Sequence, residues 1–505
     1  MDTSTAEVVA IRVDAGPQIG IGHLMRTLTL ADGLRRQGAL VRFISRDLPA
    51  NLQQLLHERG HEFAALPPGP AGTAGDLAHS HWLAVDSVRD AGDTLAALGD
   101  RSWHWLIVDH YALDVRWEQS LRAKARRILV IDDLADRKHD CDILVDQNLY
   151  ADAAHRYAGK VSAACRWLVG PRFALLRAEF EGLHEAALPR EGSVRRLLVS
   201  FGGADRDNHT ASALAALEGI HGIEVDVVLG AGHPCLEELR AHCVRAGYTY
   251  HVQTARMGEL MNEADLALGA GGATTWERCC VGLPAIVLIA AENQRQLVRD
   301  AAAAGLVHWP EISGDLAAGL RRHLLALMES PLQRAALSRA GLQLVDGGGV
   351  ARVLAAMSIA GIEVRRATPD DANQLLEWRN HPLVRQSSRS SAVITPKAHA
   401  AWLSRVFADA NRPLLIGQCA GRGVGVVRFD ITGDQAEVSI HLSADFLGRG
   451  AGAGLLPAAE AWLRHERPDV RRLRAVVLAG NGASHRLFTT SGYSTCLTEY
   501  AKELA

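Results

Sequence analysis

The stretch VVAIRVDAGPQIGIGHLMRTLTLADGLRRQG, Val8 to Gly38, joins an apolar run, a glycine-rich turn and a helical pattern. The apolar run predicts a strand that is buried on both faces. Beyond the glycines, Leu24, Leu28 and Ala31 fall on one stripe of a helix, and this stripe is expected to face the sheet. A strand that passes through such a turn into a helix indicates a parallel, doubly wound sheet.

Further apolar runs, bounded by Gly, Asp or Pro, repeat this pattern along the chain. They are LVRFIS, WLIVDHY, RILVIDD, RLLVSFGG, VDVVLGAG, LALGAGG and AIVLIA. The polar segment HEAALPREGSVRR, around Pro189, interrupts the alternation, which restarts at Leu197. We therefore predict two α/β lobes, residues 1–188 and 189–358, with a hinge between them.

The pattern changes after the segment VDGGGVARVLAAMSIAGIEVRR. From Ile362 onward the strands alternate between apolar and polar residues, as in GVGVVRFD and AEVSIHL. This change predicts a third domain of α+β class at residues 359–505. A chain of 505 residues, at ~150 residues per domain, also suggests about three domains.

The composition is that of a globular protein, with 48% apolar residues, 22% charged residues and a formal net charge of −3. This balance does not favour nucleic acid or an anionic membrane as a partner, and no obligate protein partner is evident. The apolar runs are shorter than the ~20 residues of a membrane-spanning helix, and the N-terminus lacks a signal-peptide layout, so we expect a cytoplasmic protein. The eight cysteines form no C-x-x-C pair, so we expect neither a metal site nor a disulfide framework.

The glycine turn of the opening stretch lies where doubly wound sheets bind ligands, at the carboxyl ends of the strands. The catalytic candidates at this mouth are Asp14, His23, Asp109 and Tyr111, and the substrate-binding candidates are Gly22, Arg26 and His110. Two alternatives stay open at this point. His23 is equally suited to cap the helix, and Asp109 is equally suited to cap a loop.

The second lobe has glycine turns at the ends of two of its strands, in VSFGGADRDNHT and in LALGAGGATTWERCC. Backbone N–H groups and hydroxyls at a helix start suit a pyrophosphate, and a glutamate just inside the helix suits a ribose diol. The substrate-binding candidates are Gly202, Gly203, Asp205, Gly271, Gly272, Thr274, Thr275, Glu277, Asn293 and Gln294. Ordinary capping, with Thr274 as N-cap and Glu277 as its capping-box partner, uses the same spacing.

The G-x-G-H turn, together with GGATTWE…GLP…NQ, resembles the two-lobed sugar-nucleotide glycosyltransferases of the glycosyltransferase-B (GT-B) fold. The segments DAGPQIGIGHLMR, LIVDHYALD, VIDDLADRKHDCDILVDQN, GPRFALLRAEF and SFGGADRDN together resemble the UDP-sugar hydrolases of the pseudaminic acid pathway. Those enzymes remove UDP from UDP-2,4-diacetamido-2,4,6-trideoxy-β-L-altropyranose. The resemblance implies a UDP-sugar substrate, inversion at C1 and His23 as the base. Arg177 is a substrate-side candidate, although with Glu179 it is equally suited to form a surface pair.

The residues are consistent with this chemistry. Hydrolysis at an anomeric carbon usually requires an acid for the leaving oxygen and a base for water. Because a nucleotide diphosphate is already a good leaving group, hydrogen-bond donors in the second lobe can replace the acid. An imidazole, which is largely neutral near pH 7, fits the remaining role of a single base.

The third domain contains AEVSIHLSADFLGRGAGAGLLPAAEAWL, with R-x-x-G-x-G at a helix start. With VVLAGNGASHRLFTTSGY, it resembles the GCN5-related N-acetyltransferases over Ile362 to Leu504. The resemblance implies acetyl-CoA as co-substrate, and the candidate contacts are Leu442, Arg449, Gly450, Gly452, Gly454, Asn481 and Arg486. Glu437 is a candidate base or else an exposed strand residue. Because Phe488 stands where a tyrosine often acts as the acid, Tyr493 or a water is the candidate acid.

The two resemblances together imply consecutive reactions in one chain. The acetyltransferase would modify the 4-amino group of a UDP-4-amino-4,6-dideoxy sugar, and the hydrolase would release UDP from the product. One alternative is a GT-B glycosyltransferase with an appended acetyltransferase, which would release UDP only with an acceptor. Another is a sugar-nucleotide sensor whose third domain binds acetyl-CoA, which would bind its ligands without turnover.

Overall fold

The computed structural model describes residues 7–16, 18–69, 75–203, 205–386, 390–419, 421–447, 451–478 and 480–494. The chain divides into two compact units. One spans Val8–Leu354 and the other contains the residues from Ala355 onward. The predicted boundary at residue 189 lies inside the first unit, and the predicted boundary at residue 359 lies close to the division between the units.

The first sheet of the Val8–Leu354 unit has seven parallel strands in the order β3-β2-β1-β4-β5-β6-β7. These strands are β1 (Val8–Val13), β2 (Leu40–Ser45), β3 (Glu62–Ala65), β4 (Trp103–Asp109), β5 (Ala125–Ile131), β6 (Ile143–Asp146) and β7 (Arg166–Val169). The predicted strands β1, β2, β4 and β5 are confirmed. The short strands β3, β6 and β7 extend the sheet and were not predicted.

The helices that accompany this sheet are α1 (Gly22–Arg36), α2 (Ala50–Glu58), α3 (Ser87–Leu98) and α4 (Val115–Leu121). Helix α5 (Glu179–Ala186) follows the sheet but packs against the second half, where His184 Nδ1 lies 2.8 Å from the Cys280 carbonyl. Short 3₁₀ turns lie at Ser80–Leu83 and Pro171–Phe173. The central strand β1 is buried almost throughout because a doubly wound sheet is covered on both faces. Trp103, Trp105 and Trp117 are enclosed in the core of this half.

The second sheet has five parallel strands in the order β10-β9-β8-β11-β12. They are β8 (Arg196–Ser200), β9 (Glu224–Leu229), β10 (Thr249–Val252), β11 (Leu266–Ala270) and β12 (Ala285–Leu288). The later helices are α6 (His209–Leu217), α7 (Leu236–Ala246), α8 (Met257–Glu263), α9 (Thr274–Cys280), α10 (Arg295–Ala303), α11 (Leu316–Glu329), α12 (Pro331–Leu344) and α13 (Gly349–Ala360), with a 3₁₀ turn at Glu292–Gln294. The four strands predicted here, β8, β9, β11 and β12, are confirmed.

The unit from Ala355 onward has a five-stranded sheet in the order β13-β14-β15-β16-β17. The strands are β13 (Glu363–Arg366), β14 (Leu414–Cys419), β15 (Arg422–Thr432), β16 (Gln435–Leu442) and β17 (Arg472–Ala475). The sheet is antiparallel except for the parallel pair β16 and β17. Its helices are α14 (Ala372–Asn380), α15 (Pro382–Gln386), α16 (Pro396–Ala408), α17 (Gly452–Glu466) and α18 (Gly482–Thr490), with 3₁₀ turns at Pro369–Asp371 and Ala444–Phe446. The predicted α+β class and the predicted strands β15 and β16 are confirmed.

Among the described residues, the segment Pro331–Ala360 is long and apolar enough to cross a membrane by length and composition alone. It consists of α12 and α13, which have 14 and 12 residues, and Gly347 between them has a φ of +76°. Each helix is therefore shorter than the ~20 residues that a span requires. Core helices of other globular proteins meet the same test, so this feature is weak evidence for a membrane span.

Gly454 lies where α17 passes very close to the backbone of α13. A Cβ atom at Gly454 would stand 2.3 Å from the carbonyl oxygen of Ile359. We expect Gly454→Ala to lower the stability of the unit from Ala355 onward by ~1–3 kcal/mol, because backbone must move to admit the methyl group. Calorimetric melting of the purified protein measures this loss.

The matched control is Gly482→Ala in α18, where the nearest atom to the added Cβ is Arg486 Nη1 at 3.6 Å. Alanine favours a helix over glycine by up to ~1 kcal/mol, so this variant should melt at the normal temperature or above it. Equal melting temperatures for the two variants would contradict the packing argument.

Candidate active sites

His23 lies in the first turn of α1, directly after the glycine turn. Gly20 has a φ of +80°, which favours glycine, and its N–H donates to the Gly16 carbonyl at 2.7 Å. The N-cap residue of α1 is Ile21, and no side chain caps this helix. The capping alternative for His23 is therefore wrong, and the imidazole is available for another role.

The His23 imidazole contacts a carboxylate that is held by an arginine. Nδ1 of His23 lies 2.6 Å from Asp109 Oδ1, and Arg26 binds Asp109 through Nε at 2.6 Å and Nη2 at 2.7 Å. Burial alone would raise the pKa of Asp109, but the charge of Arg26, together with hydrogen bonds from Arg26 and His23, outweighs burial and holds this pKa well below its usual value. Because an ionised carboxylate only accepts hydrogen bonds, Nδ1 of His23 is the donor.

The second ring nitrogen of His23 is consequently the basic one. With the proton on Nδ1, the lone pair of a neutral imidazole lies on Nε2. The described residues make no hydrogen bond to Nε2. The ring is fixed in orientation and presents one unengaged basic atom.

Tyr111 and Asp133 extend this cluster. Arg26 Nη1 donates to Asp133 Oδ2 at 3.0 Å, and the Tyr111 hydroxyl donates to Asp133 Oδ1. The Tyr111 ring meets the His23 ring edge-on, with 4.6 Å between centroids. Burial, reinforced by the charge of Asp133, holds the pKa of Tyr111 well above its usual value, so its phenol stays protonated. Asp133 was not predicted as a site residue, although it directly follows a predicted strand end in RILVIDD.

An aromatic side chain that was not predicted forms one wall of the site. Trp82, in the 3₁₀ turn Ser80–Leu83, stacks on Tyr111 at 5.4 Å and meets His23 edge-on at 6.1 Å. The Trp82 ring is half-buried. No local pattern in the sequence distinguishes this residue from an ordinary core tryptophan.

Asp14 and His110 belong to a neighbouring network rather than to the His23 cluster. Arg12, which is fully buried, donates to both oxygens of Asp14 at 2.7 and 2.9 Å, and Ser45 Oγ donates to Asp14 at 2.8 Å. His110 Nε2 lies 3.2 Å from Asp14 Oδ2, while its Nδ1 accepts from the Ala112 N–H. These contacts occupy Asp14, so they support the loop that carries Asp109 and Tyr111. A direct catalytic role for Asp14 stays a prediction.

The glycine turn after β11 presents open backbone donors. The N–H groups of Gly272, Ala273 and Thr274 donate to no acceptor among the described residues, whereas the Thr275 N–H donates to Gly272. A Cβ atom at Gly271 would lie 2.0 Å from the Val298 side chain, so packing alone requires this glycine. A Cβ atom at Gly272, in contrast, would make only an ordinary van der Waals contact, 3.5 Å from Gln294 Nε2.

The two threonines of this turn differ. The N-cap of α9 is Ala273 and no side chain caps the helix, so the predicted capping box of Thr274 and Glu277 does not form. Thr275 is fully buried, and its hydroxyl oxygen accepts from Arg278 at 3.2 Å. Thr274 is half-exposed and accessible to a ligand. The hydroxyl of Thr275 is buried, so it is not accessible for the predicted substrate contact.

Glu277 contacts Arg177, which lies just before α5 in a segment that packs against the second half. Arg177 Nη2 lies 3.4 Å from Glu277 Oε1, and Arg177 Nη1 lies 3.2 Å from Glu179. Burial raises the pKa of Glu277, and the positive charge of Arg177 offsets part of that increase. The predicted surface pair of Arg177 and Glu179 therefore exists, but Arg177 also bonds the residue proposed to hold the ribose.

The other predicted substrate residues of the second half are placed as follows. Gln294 Oε1 accepts from the Ala290 N–H at 3.1 Å, and Asn293 precedes it in the 3₁₀ turn Glu292–Gln294. Gly202 has a φ of +89°, and Gly203 contacts Gly230 so closely that a Cβ on Gly230 would lie 1.9 Å from the Gly203 carbonyl oxygen. These features form the turn that follows β8.

Asp205 has a structural role in this turn. Its carboxylate accepts from the N–H groups of His209 and Thr210, both at 2.9 Å, and from the Thr210 hydroxyl at 2.6 Å. His233 Nε2 lies 3.2 Å away. The side chain is thus occupied at the start of α6, and a direct contact with substrate stays a prediction.

A hydrogen-bonded link connects the cluster around His23 with helix α9. Trp276 of α9 is fully buried, and its Nε1–H donates to Asn148 Oδ1 at 3.0 Å. Asn148 Nδ2 lies 3.5 Å from Asp133 Oδ2. Because Asp133 also binds Arg26 and Tyr111, a continuous chain of contacts joins the His23 cluster to the helix that carries Thr274 and Glu277.

In the unit from Ala355 onward, β16 and β17 pair only over part of the length of β16. The paired residues end at Val438 and Ala475, whereas β16 continues to Leu442. Residues 439–442 therefore have no strand partner on that side among the described residues. Such an open backbone edge fits an extended amide-containing ligand such as the pantetheine arm of acetyl-CoA.

The predicted contacts for coenzyme A have different environments. The first turn of α17, which begins at Gly452, has no side-chain cap. The N–H groups of Gly452 and Ala453 donate to no acceptor among the described residues, whereas the Gly454 N–H donates to the Ala451 carbonyl at 3.1 Å. Gly454 is explained by its packing on Ile359, and the Asn481 side chain caps α18 by accepting from the Ser484 N–H at 3.0 Å. Arg486 is exposed. Arg449 and Gly450 lie outside the described residues.

Two predicted catalytic residues of this unit are partly explained by local contacts. Glu437 lies on the same face of β16 as Ser439 and His441, because side chains alternate along a strand. The Tyr493 hydroxyl donates to Glu460 Oε1 at 2.8 Å, and burial raises the pKa of Tyr493. The phenol therefore stays protonated, and its role as acid stays a prediction.

Three arginines, Arg379, Arg385 and Arg428, lie on this face together with the neutral His441. This group, here called the cation cluster, was not predicted. Arg379 Nη1, Arg385 Nε and His441 Nε2 are buried without a hydrogen-bond partner among the described residues. Burial, with the charges of Arg379 and Arg428, lowers the pKa of His441 to about 4. Arg428 bonds Asp430, whereas the unpartnered atoms leave the cluster suited to an anion.

The described residues contain no group of three or more His, Cys, Asp or Glu side chains arranged to hold a metal ion. Residues 362–494 match the model of the acetyltransferase (GNAT) domain family. The C-terminal unit carries a GNAT domain. This match covers the region with the open β16 edge and the uncapped start of α17.

Three curated relatives extend the comparison to the rest of the chain. An uncharacterized protein of Methanocaldococcus jannaschii is 22% identical over 96% of this chain and 96% of its own length. The spore coat polysaccharide biosynthesis protein SpsG of Bacillus subtilis is 25% identical over 69% of this chain and 96% of its own length. The UDP-2,4-diacetamido-2,4,6-trideoxy-β-L-altropyranose hydrolase of Campylobacter jejuni is 26% identical over 51% of this chain and 82% of its own length. The chain is thus similar to a UDP-sugar hydrolase followed by a GNAT domain.

The solved structures support the two-lobed fold. Phytolacca americana UGT2, complexed with UDP-2-fluoroglucose and pterostilbene, superposes with a TM-score of 0.51 at 15% identity. The match covers 70% of this chain and 100% of that chain. At this identity the likeness shows the fold alone, and it confirms the predicted GT-B-like arrangement.

The lowered pKa of His441 predicts a pH-dependent stability. An unfolded histidine has a pKa of ~6.5, so the unfolded chain takes up a proton more readily than the folded chain between about pH 4 and pH 6.5. The stability that His441 contributes is therefore complete above pH 6.5 and falls by up to ~3 kcal/mol as the pH drops to 4. Urea unfolding of wild type and His441→Gln across this range measures the difference.

The glutamine variant should show a shallower loss of stability with acid than the wild type. His465→Gln is a matched control, because His465 is exposed on α17. Parallel pH profiles for wild type and His441→Gln would contradict the assignment of a neutral, buried imidazole.

Proposed function

We propose that this chain catalyses two reactions on UDP-activated sugars. The GNAT domain transfers an acetyl group from acetyl-CoA to the 4-amino group of a UDP-4-amino-4,6-dideoxy sugar. The Val8–Leu354 unit hydrolyses UDP-2,4-diacetamido-2,4,6-trideoxy-β-L-altropyranose to UDP and the free sugar, with inversion at C1. Similarity to the Campylobacter jejuni hydrolase and the GNAT domain match support the pairing.

The observation that carries the hydrolase assignment is the geometry of His23. Its Nδ1 donates to the ionised Asp109, and its Nε2 is unengaged among the described residues. In the proposed reaction, Nε2 takes a proton from water as the water oxygen bonds to C1. The C1–O bond to the diphosphate breaks on the opposite face, and its electron pair leaves with UDP.

Stabilisation of the departing UDP is assigned to the turn after β11. The open N–H groups of Gly272, Ala273 and Thr274 are suited to donate hydrogen bonds to the diphosphate oxygens as their negative charge grows, and Glu277 is suited to bind the ribose hydroxyls. No separate acid is needed because the diphosphate is a good leaving group. The Tyr111 hydroxyl donates its proton to Asp133, so Tyr111 packs edge-on against His23 and its phenol oxygen can accept a hydrogen bond from the sugar.

The acetyl transfer is assigned to the face of β16 that carries Glu437. The amine nitrogen attacks the thioester carbonyl, Glu437 takes the amine proton, and coenzyme A leaves as the thiolate, which Tyr493 or water protonates. The open edge at 439–442 and the uncapped start of α17 fit the pantetheine arm and the pyrophosphate of acetyl-CoA.

The cation cluster supports a nucleotide-linked amino sugar as the acetyl acceptor. Arg379, Arg385 and His441 retain unpartnered buried nitrogens on the side of the sheet that carries Glu437. A diphosphate supplies the acceptor oxygens that these donors lack, whereas a free amino sugar does not.

His23→Asn is expected to lower the hydrolytic rate by ~10²–10⁴, because general-base catalysis contributes about that factor. UDP-sugar affinity should change little, and acetyl transfer should be normal. UDP release and thiol release, followed separately on the purified protein, measure the two activities. The reciprocal variant Glu437→Gln should lose acetyl transfer and retain hydrolysis.

Near-normal hydrolysis by His23→Asn would overturn the assignment of the base. Release of UDP only when an acceptor alcohol is added would instead favour the glycosyltransferase alternative. Following the anomeric NMR signal during hydrolysis tests inversion directly.

Arg379→Ala is expected to raise KM for the UDP-amino sugar by ~10–100-fold, the cost of one charge-assisted hydrogen bond. KM for acetyl-CoA should be unchanged. Arg467→Ala is the charge-matched control, because Arg467 is bonded to Asp469 away from the cluster and its loss should leave both KM values unaltered. Equal KM values for Arg379→Ala and wild type would show that the diphosphate does not bind at the cluster.

A further inference from the structure

Arg278, in α9, is a buried cation without a carboxylate partner. Its side chain is 2% exposed. Nη2 donates to the Ala270 carbonyl at 2.8 Å and to Thr275 Oγ1 at 3.2 Å, and Nη1 lies 3.4 Å from Thr274 Oγ1. Nε is buried with no partner among the described residues, and no Asp or Glu of the described chain lies within salt-bridge distance of the guanidinium.

Other buried arginines of the same unit have a different environment. Arg12 contacts Asp14 and Asp90, Arg26 contacts Asp109, and Arg137 contacts Asp132. A buried charge that faces only neutral oxygens is costly, because those dipoles replace the lost hydration incompletely. Consistent with this, burial lowers the pKa of Arg278 to about 10, and the charge of neighbouring Glu277, which lies beyond salt-bridge distance, offsets only part of that decrease.

The position of Arg278 explains why such a charge is retained. The residue lies directly under the turn after β11, and a Cβ at Gly269 would stand 2.9 Å from Arg278 Nη1. Because a guanidinium only donates, the oxygens of Thr274 and Thr275 accept its hydrogen bonds. The half-exposed Thr274 hydroxyl is therefore left with its proton free to donate outward.

We propose that Arg278 is a positioning residue that holds this turn and supplies a buried positive charge, which makes the turn selective for the diphosphate of a nucleotide over an uncharged nucleoside. The proposal rests on the proposed function, in which UDP binds at the same turn. The guanidinium acts through Thr274 and through its electric field, and the anionic ligand provides the counter-charge that the protein lacks.

The test compares the binding of UDP, UMP and uridine by calorimetry for wild type, Arg278→Met and Arg278→Lys. Arg278→Met should weaken UDP binding by about 10–100-fold, UMP binding by less, and uridine binding by less than about 2-fold. Arg278→Lys retains the charge and should keep most of the preference for UDP over uridine. Added salt should weaken UDP binding more in wild type than in Arg278→Met.

Arg334 offers a matched control in the same unit. It is equally buried, at 1% exposed, and its guanidinium donates to the carbonyls of Leu327, Met328 and Gly192 rather than to a carboxylate. Arg334→Met should lower the melting temperature without changing the ratio of UDP to uridine affinity. If Arg278→Met loses more affinity for UDP than for uridine and Arg334→Met does not, the effect comes from the charge of Arg278 rather than from a general loss of packing.

Two outcomes overturn the proposal. One is an equal loss of UDP and uridine binding in Arg278→Met, which would show a purely structural role, and the other is unchanged UDP affinity. If Arg278→Met does not fold, Arg278→Gln is measured instead, with the same expectations. If the wild type binds no UDP at all, the proposed function itself fails, whereas UDP binding that is indifferent to Arg278 leaves the proposed function intact.

Discussion

The bidentate ion pair between Arg26 and Asp109 is the constraint on which the proposed hydrolytic site depends. Both side chains are buried, so breaking the pair would leave an uncompensated charge in the interior. The pair keeps Asp109 ionised, the ionised carboxylate sets the His23 tautomer, and the tautomer leaves Nε2 as the basic atom. The reactivity proposed for His23 is thus a consequence of an electrostatic contact one helical turn away.

The same arginine joins the base to the rest of the unit. Through Asp133, Arg26 is connected to Tyr111, to Asn148 and then to Trp276 of α9. Hydrogen-bond chains of this kind are rigid because each member restricts the rotamers of the next. The distance between the proposed base and the proposed diphosphate turn is therefore set by side-chain contacts inside the unit, in addition to the packing of the two sheets.

Much of the fold was predictable from the sequence because continuous apolar runs report burial on both faces of a parallel sheet. The strands of the Val8–Leu354 unit that escaped prediction are β3, β6, β7 and β10, which have only four residues each and so carry a weak hydrophobic signal. The residues of the first site were predictable as far as they follow strand ends on a shared sheet edge. Which of them touch was not predictable, since Asp14 and Asp109 occupy equivalent positions in the sequence pattern but bind different arginines.

The errors and omissions have the same origin. The capping alternatives for His23 and Thr274 rest on local spacing alone. In the structure neither side chain caps its helix. The contacts of Trp82 and of the cation cluster join residues from separate segments of the chain. The hydrophobic periodicity of a segment does not indicate such contacts. Asp133 carried a usable signal, because it stands at a strand end beside residues that were selected.

Buried arginines have carboxylate partners in the first half of the Val8–Leu354 unit, whereas Arg278 in the second half has none at salt-bridge distance. This difference suits the proposed reaction. Around His23 each buried arginine is neutralised by carboxylates, so the base sits in a field that is fixed before substrate binds. Under the turn after β11, Arg278 faces only neutral oxygens. When the C1–O bond breaks, the negative charge on the diphosphate grows by one unit. A buried cation without a carboxylate at salt-bridge distance stabilises that growing charge more than it stabilises the bound UDP-sugar. Stronger binding of the transition state than of the substrate lowers the barrier to hydrolysis in the proposed reaction.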